Sequence, residues 1–334
     1  MVARLGGDEF VILQVGMNQP DGATCMATRL LKLLAEPREI NGLQFVCAAS
    51  IGVAISPTDA EDWEGLLTRA DIALYRAKAE SRGNASFFET GMDTIFRKRR
   101  CLEADLRRAM ETSAFHLAYQ PLVDLQGAEL VGFEALLRWP EGWEPQSPAN
   151  FIPVAEEAGL IVPIGAWVLE TACREAASWT KPLKIAVNLS PLQFSSGDIV
   201  AVVDRALESS GLDPVRLEFE VTESLRLQNT ETVLDQLARL RSSGISIALD
   251  DFGTGYSSLS YHWKFPFDKV RIDRSFVTQM EVDPKAADIV DTVVALGRIL
   301  GLTVTAEGVE TPDQAKHSGR RDAIKARNIY LAVL

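Results

Sequence analysis

From Phe115 onward, short runs of β-branched and other apolar residues alternate with amphipathic helical stretches, and few architectures accept that alternation. The strand candidates are Leu117–Leu122, Glu129–Leu137, Leu183–Leu189, Arg216–Val221, Ile245–Leu249, Lys269–Ile272 and Leu302–Thr305. Helical periodicity separates them at Ile164–Trp179, Ile199–Ser209, Thr230–Arg241 and Ala286–Leu300. Strands alternating with helices predict a largely parallel sheet, and this many strands predict a (β/α) barrel. The first two strands are close enough to form a hairpin across Asp124–Gly127.

In such a barrel the chemistry lies at the C-terminal ends of the strands. Glu134 lies late in the second strand, and Asn188 and Glu220 end the next two. Asp250 and Asp251 follow Ile245–Leu249, Arg271 and Asp273 bracket the next strand end, and Glu307 follows Val304-Thr305-Ala306. Any one acidic residue there reads as a helix N-cap or a solvated group. Together they converge like charges on one rim, which is costly without a cation. Hard oxygen donors favour Mg²⁺ or Mn²⁺, paired aspartates suit two ions, and two such ions suit phosphate-ester hydrolysis. Spacing alone leaves this reading and the capping reading both open.

Composition removes competitors. The 334 residues carry a net charge of −12, which argues against a nucleic-acid polymer as partner. No apolar run approaches the roughly 18 residues of a membrane span. The charged N-terminus, MVARLGGDEF, does not resemble a signal peptide, so a cytoplasmic location is expected. The four cysteines and three histidines form no zinc-ligand spacing. Gly253-Thr254-Gly255 lacks the third glycine of a dinucleotide fingerprint. His116 and His262 read as structural, while Trp139, Trp143 and Phe151 fit either a core or a base-stacking platform.

The earlier part of the chain differs. Leu5-Gly6-Gly7-Asp8-Glu9-Phe10 reads as a turn leading into a strand, Phe10 to Val15. Helices are expected at Asp21–Ala35 and Trp63–Ala79, with a strand pair Glu39–Ala48 and Ser50–Ile55 between them. Residues 92–112 are basic, and Leu102, Leu106 and Ala109 give them a helical stripe, so a connecting helix is expected.

At these residues the sequence resembles a known family. Phe133-Glu134-Ala135-Leu136-Leu137-Arg138 is similar to the signature of EAL domains, phosphodiesterases of cyclic di-GMP. The resemblance continues through Tyr119-Gln120-Pro121, Val187-Asn188-Leu189-Ser190, Glu220-Val221-Thr222-Glu223, Asp250-Asp251-Phe252-Gly253 and Ala306-Glu307-Gly308-Val309-Glu310. Gly6-Gly7-Asp8-Glu9-Phe10, Ser50-Ile51-Gly52-Val53-Ala54 and Arg69-Ala70-Asp71-Ile72-Ala73-Leu74-Tyr75 resemble the later part of a GGDEF, or diguanylate cyclase, domain.

The resemblance implies a partial GGDEF α/β domain over 1–91, a linker helix over 92–112 and an EAL-type TIM-like (β/α) barrel over 113–334. It implies two ions, Mg²⁺ or Mn²⁺, held by Glu134, Asn188, Glu220 and Asp250, with Asp250 and Asp251 on the second ion. It makes Glu307 the acid near the attacking water, Glu223 the residue orienting the loop after Asp251, and Glu310 a supporting acid. Arg138 and Gln120 become substrate contacts. The implied substrate is cyclic di-GMP, opened to linear pGpG, and a homodimer through the EAL domain is an expectation from the resemblance alone.

Three departures qualify it. The family's catalytic Lys is replaced in Arg271-Ile272-Asp273, where a larger, planar guanidinium still supplies positive charge but would misplace a water that a compact ammonium positions. Weakened hydrolysis is the expectation, with an inactive cyclic di-GMP-binding module or a non-functional remnant as alternatives. The first half of the GGDEF domain, with its metal and nucleotide contacts, is missing before Met1, so no cyclase activity is expected. From about residue 316 the chain turns basic and loses the expected Gln-Gly strand. Ile324-Lys325-Ala326 is what a single-base deletion would make of Ile-Gln-Gly, so a frameshift is suspected. The last strand is accordingly expected to be altered or missing, leaving a poorly closed barrel.

Overall fold

The computed structural model describes residues 1–334 except 41–42, 46, 81–82, 125–128, 223–230, 253–266, 281, 310–323 and 328–334. The chain divides into two compact units, Met1–Leu102 and Glu103–Leu334.

In the first unit, β1 (Val2–Gly6) and β2 (Glu9–Ile12) form an antiparallel hairpin whose turn is the Gly-Gly-Asp-Glu segment. Helix α1 (Asp21–Ala35) follows as expected. The strand pairing differs from expectation. The hairpin lies within 38–45, between β3 (Arg38–Ile40) and β4 (Leu43–Phe45). Strand β5 (Ile51–Val53) instead pairs in parallel with β6 (Ala85–Phe87), with α2 (Trp63–Glu80) as the crossover. The helical crossover makes the second pair parallel, while the nearer pair runs antiparallel. Helix α3 (Met92–Glu111) runs across the boundary between the units.

The second unit is a closed barrel of eight strands. They are β7 (His116–Asp124), β8 (Glu129–Arg138), β9 (Lys184–Leu189), β10 (Leu217–Thr222), β11 (Ser246–Phe252), β12 (Lys269–Ile272), β13 (Thr303–Ala306) and β14 (Ile324–Arg327). Strands β7 and β8 form the expected antiparallel hairpin, and the pairings from β8 to β14 are parallel. Strand β7 is therefore antiparallel to both neighbours, β8 and β14. The connecting helices include α4 (Pro148–Glu157), α5 (Ile161–Ser178), α6 (Pro191–Ser195), α7 (Ile199–Ser210), α8 (Glu231–Ser242), α9 (Arg274–Gln279) and α10 (Pro284–Leu300).

For the closing strand the altered alternative holds rather than the missing one, and the expected poor closure is corrected. Ile324–Arg327 pairs with β13 on one side and β7 on the other, so the ring is complete. A ladder is made by main-chain groups, which an Ile-Lys-Ala-Arg sequence supplies as well as one with a Gln-Gly pair. Most of the tail, 316–323 and 328–334, lies outside the described residues.

Period-two alternation sorts the strand residues. Ile185, Val187, Leu217, Phe219, Ile247, Leu249, Ile272 and Val304 are all buried and form the apolar layer beneath the helices. The alternate residues meet across the barrel, and many are polar. Lys184 reaches Ser246 on β11, and Glu218 on β10 pairs with Lys269 on β12. Gly132 leaves no side chain at its place on β8, where a Cβ would stand 2.5 Å from the Lys184 carbonyl oxygen, so β8 and β9 approach closely. Trp139 and Phe151 are buried with ring centroids 5.3 Å apart, Trp143 stands 6.1 Å from Trp139, and Arg108 stacks on Trp143. Trp139 and Phe151 are therefore core rather than a base-stacking platform, while Trp143 is half-buried beneath Arg108.

Candidate functional site

The carboxylates and amide read from the strand ends assemble at one rim of the barrel. Glu134 and Glu220 form its buried floor, each 1% exposed. The Asn188 side-chain amide donates to Glu134 Oε1 at 2.6 Å. That bond uses the NH₂ and not the amide oxygen. In register, Glu220 stands beside Asn188, and Asp250 lies two residues further along β11 from the residue facing Glu220. Asn188 is exposed and Asp250 and Glu307 are half-buried, so the site opens on their side.

Glu307 is placed by the turn after β13. Its backbone N–H donates to the Ile272 carbonyl at 3.1 Å, extending the β12–β13 ladder by one bond. Gly308 then takes a φ of 69°, and a Cβ there would lie 2.3 Å from Arg274 Cγ. Glycine is what lets the chain turn there against the Arg274 side chain.

Arg271 sits among these groups, and its side chain is 2% exposed. Its Nη1 donates to Glu220 Oε2 at 2.6 Å and to Asp250 Oδ2 at 3.1 Å, and stands 3.2 Å from Glu307 Oε1. Its Nη2 pairs with the other oxygen of Glu220, so that contact is bidentate. Burial pushes the Arg271 pKa below its ordinary value, and the neighbouring Glu307 and Glu218 carboxylates oppose that push. One guanidinium thus joins three of the acidic groups.

The other expected residues are placed as follows. Gln120 on β7 faces Glu134 in register, and Arg138 ends β8, its Nη1 donating to the Leu137 carbonyl at 3.2 Å. Asp251 belongs to β11, while Glu223 and Glu310 lie outside the described residues. Asp273 is a helix cap: its carboxylate accepts from the Ser275 N–H at 3.0 Å. Helix caps and ion pairing thus account for one strand-end acid, and the cluster for the rest.

Sequence reasoning missed the layer below. Glu218 and Lys269 form a buried ion pair one strand period beneath Glu220 and Arg271. The signal was present: Glu218 is two residues from Glu220, and Lys269 two from Arg271, so each pair shares a strand face. Also missed were the Ser190 hydroxyl donating to Glu156 Oε1 at 2.7 Å and the Arg216 guanidinium, which donates to the Leu183 and Ala176 carbonyls at 2.9 and 2.7 Å. The first anchors the turn after Asn188, and the second ties α5 to the start of β9.

Comparison with known proteins agrees with this arrangement. Residues 103–323 match the EAL domain family. The chain belongs to the EAL family. Residues 1–84 match the diguanylate cyclase, GGDEF domain. A Pseudomonas aeruginosa protein, the bifunctional diguanylate cyclase/cyclic di-GMP phosphodiesterase MucR, is 42% identical over 321 residues, covering 94% of this chain and 46% of that protein. An uncharacterized signaling protein of Caulobacter vibrioides is 47% identical over 316 residues, covering 93% and 39%. The chain spans less than half the length of these relatives. Among solved structures, the PaMucR phosphodiesterase in a c-di-GMP complex has a TM-score of 0.64 at 42% identity, covering 68% of this chain and 94% of that one. The EAL domain of Mycobacterium smegmatis DcpA has a TM-score of 0.56 at 34% identity, covering 64% and 90%.

The donor set of this EAL barrel fits a hard divalent cation in kind, since Glu134, Asn188, Glu220 and Asp250 all offer oxygens. Its present geometry is organised around the guanidinium instead. Among the described residues, no three acidic, histidine or cysteine side chains stand together as a metal site. No described helix is long and apolar enough to cross a membrane.

Proposed function

We propose that this EAL domain hydrolyses cyclic di-GMP to linear pGpG, using two divalent cations, Mg²⁺ or Mn²⁺, with turnover weakened by Arg271. The observation that carries the reading is the rim itself: Glu134, Asn188, Glu220, Asp250 and Glu307 gather at the C-terminal ends of the strands of a barrel whose 42%-identical neighbour is a phosphodiesterase in complex with c-di-GMP. Glu134, Asn188, Glu220 and Asp250 would hold one ion, and Asp250 with Asp251 the other. Bound there, such ions supply Lewis acidity to a phosphodiester and lower the pKa of a water. Glu307, on the open side, accepts the proton of the attacking water at its carboxylate. Gln120 and Arg138 bind the substrate, the latter through phosphate. In the same scheme Glu223 orients the loop after Asp251 and Glu310 is a supporting acid. Residues 1–91 form a GGDEF-derived unit, 92–112 a connecting helix and 113–334 the EAL domain, acting in the cytoplasm. Pairing through the EAL domain belongs to the same proposal.

Arg271 also favours a second reading, a cyclic di-GMP-binding module without turnover, because the guanidinium occupies oxygens the metals need. One chromatographic assay separates the two. The chain and its Arg271→Lys variant are incubated with cyclic di-GMP and Mg²⁺ or Mn²⁺, with an EDTA control. Slow pGpG formation by the chain, faster by up to about 10²-fold in the variant, is expected from correcting a misplaced positive charge. Turnover by the variant alone supports the binding module. No pGpG from either refutes the hydrolytic reading.

A further inference from the structure

We infer that Arg271 is a resident counter-ion of the rim, competing with divalent cations for the oxygens of Glu220 and Asp250. The inference rests on the metal-dependent reading above. It makes loading of the site a displacement of protein charge.

The argument begins with cost. Buried carboxylates that converge repel one another and demand compensation. Arg271 supplies it from within the chain, bidentate to Glu220 and within 3.1–3.2 Å of Asp250 and Glu307. A lysine at this position has three donors on one compact ammonium and no rigid fork, so it cannot hold Glu220 bidentately while also reaching Asp250 and Glu307 with separate donors of a planar group. In this chain two of the rim's proposed metal donors, Glu220 and Asp250, are engaged by the guanidinium. The guanidinium itself is imperfectly housed: among the described residues, its buried Nε finds no hydrogen-bond acceptor. A group held by strong ion pairs on one side and unsatisfied on the other is a displaceable occupant. Metal entry requires it to release Glu220 and Asp250, and its contact with Glu307 is the one that does not obstruct the metal donors.

The test measures binding and stability rather than turnover. MnCl₂ is titrated calorimetrically into the full chain and into Arg271→Lys, and each is melted with and without MnCl₂. The Lys variant should bind Mn²⁺ roughly tenfold more tightly or better, because a single ammonium engages fewer of the oxygens. The melting temperature of the natural chain should hardly respond to Mn²⁺ concentrations that raise that of the variant. Arg271→Gln removes the charge and shortens the side chain, so it should melt below the natural chain without metal and recover with Mn²⁺. Equal Mn²⁺ affinity in the natural chain and the Lys variant overturns the inference and leaves the metal site standing. Arg271→Gln melting like the natural chain without metal overturns the counter-ion role. Mn²⁺ binding by none of the three removes the metal-dependent reading along with the inference.

Discussion

Replacing Glu218 by Gln should destabilise the barrel more than any surface change, and the size follows from its surroundings. The Glu218 and Lys269 side chains are 5% and 11% exposed and paired with each other. Glu218→Gln preserves shape and removes the charge, so the Lys269 ammonium is left buried without its counter-ion. Breaking one side of a buried pair costs about 3–5 kcal/mol. Glu218 also helps offset the burial of Arg271, so the change reaches the rim and places the expectation at the upper end of that range. For a unit of this size the urea slope lies near the upper end of about 1–3 kcal/mol/M, so the midpoint should fall by roughly 1–1.7 M. Tryptophan fluorescence isolates the barrel, because of six tryptophans five, Trp139, Trp143, Trp167, Trp179 and Trp263, lie in the second unit. The double variant Glu218→Leu/Lys269→Met removes both charges and should recover most of the loss, since apolar replacement of a buried pair is commonly neutral or stabilising. A midpoint shift below about 0.3 M for Glu218→Gln, or a double variant worse than the single, would refute the claim that uncompensated charge sets the cost.

Two further outcomes follow from groups whose neutral forms the fold favours. Burial pushes the Cys173 thiol up to about 12, while Cys25, Cys47 and Cys101 are exposed. At pH 8 a disulfide reagent should therefore label three thiols quickly and Cys173 only in denaturant; four fast thiols would contradict the burial. Burial, with help from Glu175, raises Tyr119 to about 12. A folded pKa above the unfolded one means this contribution is fully present below about pH 10 and is lost as pH rises toward 12. Ultraviolet titration of the native chain should show one late tyrosinate that Tyr119→Phe removes; an unchanged titration curve would count against the assignment.

Much of the barrel was legible because its strands are apolar on the face beneath the helices and chemically marked at their ends. Five acidic or amide groups at successive strand ends, Glu134, Asn188, Glu220, Asp250 and Glu307, are visible without any knowledge of pairing, and the structure brings them to one rim. Other elements were hidden by local signals that tertiary context overrode. Helix α4 begins at Pro148 and contains Pro153, a sequence that reads as loop, yet the first proline sits at the helix start and the buried Phe151, Val154 and Ala155 hold the rest. The closing strand was hidden because its side chains suggest nothing, while its main chain does the pairing.

The interior charges were the least legible, and the reason is geometric. Strands β10 and β12 are not neighbours, since β11 lies between them, so no sequence spacing relates Glu218 to Lys269 or Glu220 to Arg271. Only closure of the barrel puts alternate residues of the two strands opposite each other. Once closed, the period of two does the remainder: residues 218 and 220 face residues 269 and 271 as two stacked anion–cation pairs. The two levels then differ in consequence. At the lower level Glu218 pairs with Lys269, and the Lys184 ammonium donates to Ser246, the register neighbour of Glu218. At the upper level Glu220 shares its guanidinium with Asp250 and Glu307 beside the buried Glu134. The same strand pattern therefore yields an ion pair inside the barrel and a shared guanidinium at its mouth, where Arg271 holds oxygens that a hard divalent cation, on the metal-dependent proposal above, would have to take from it.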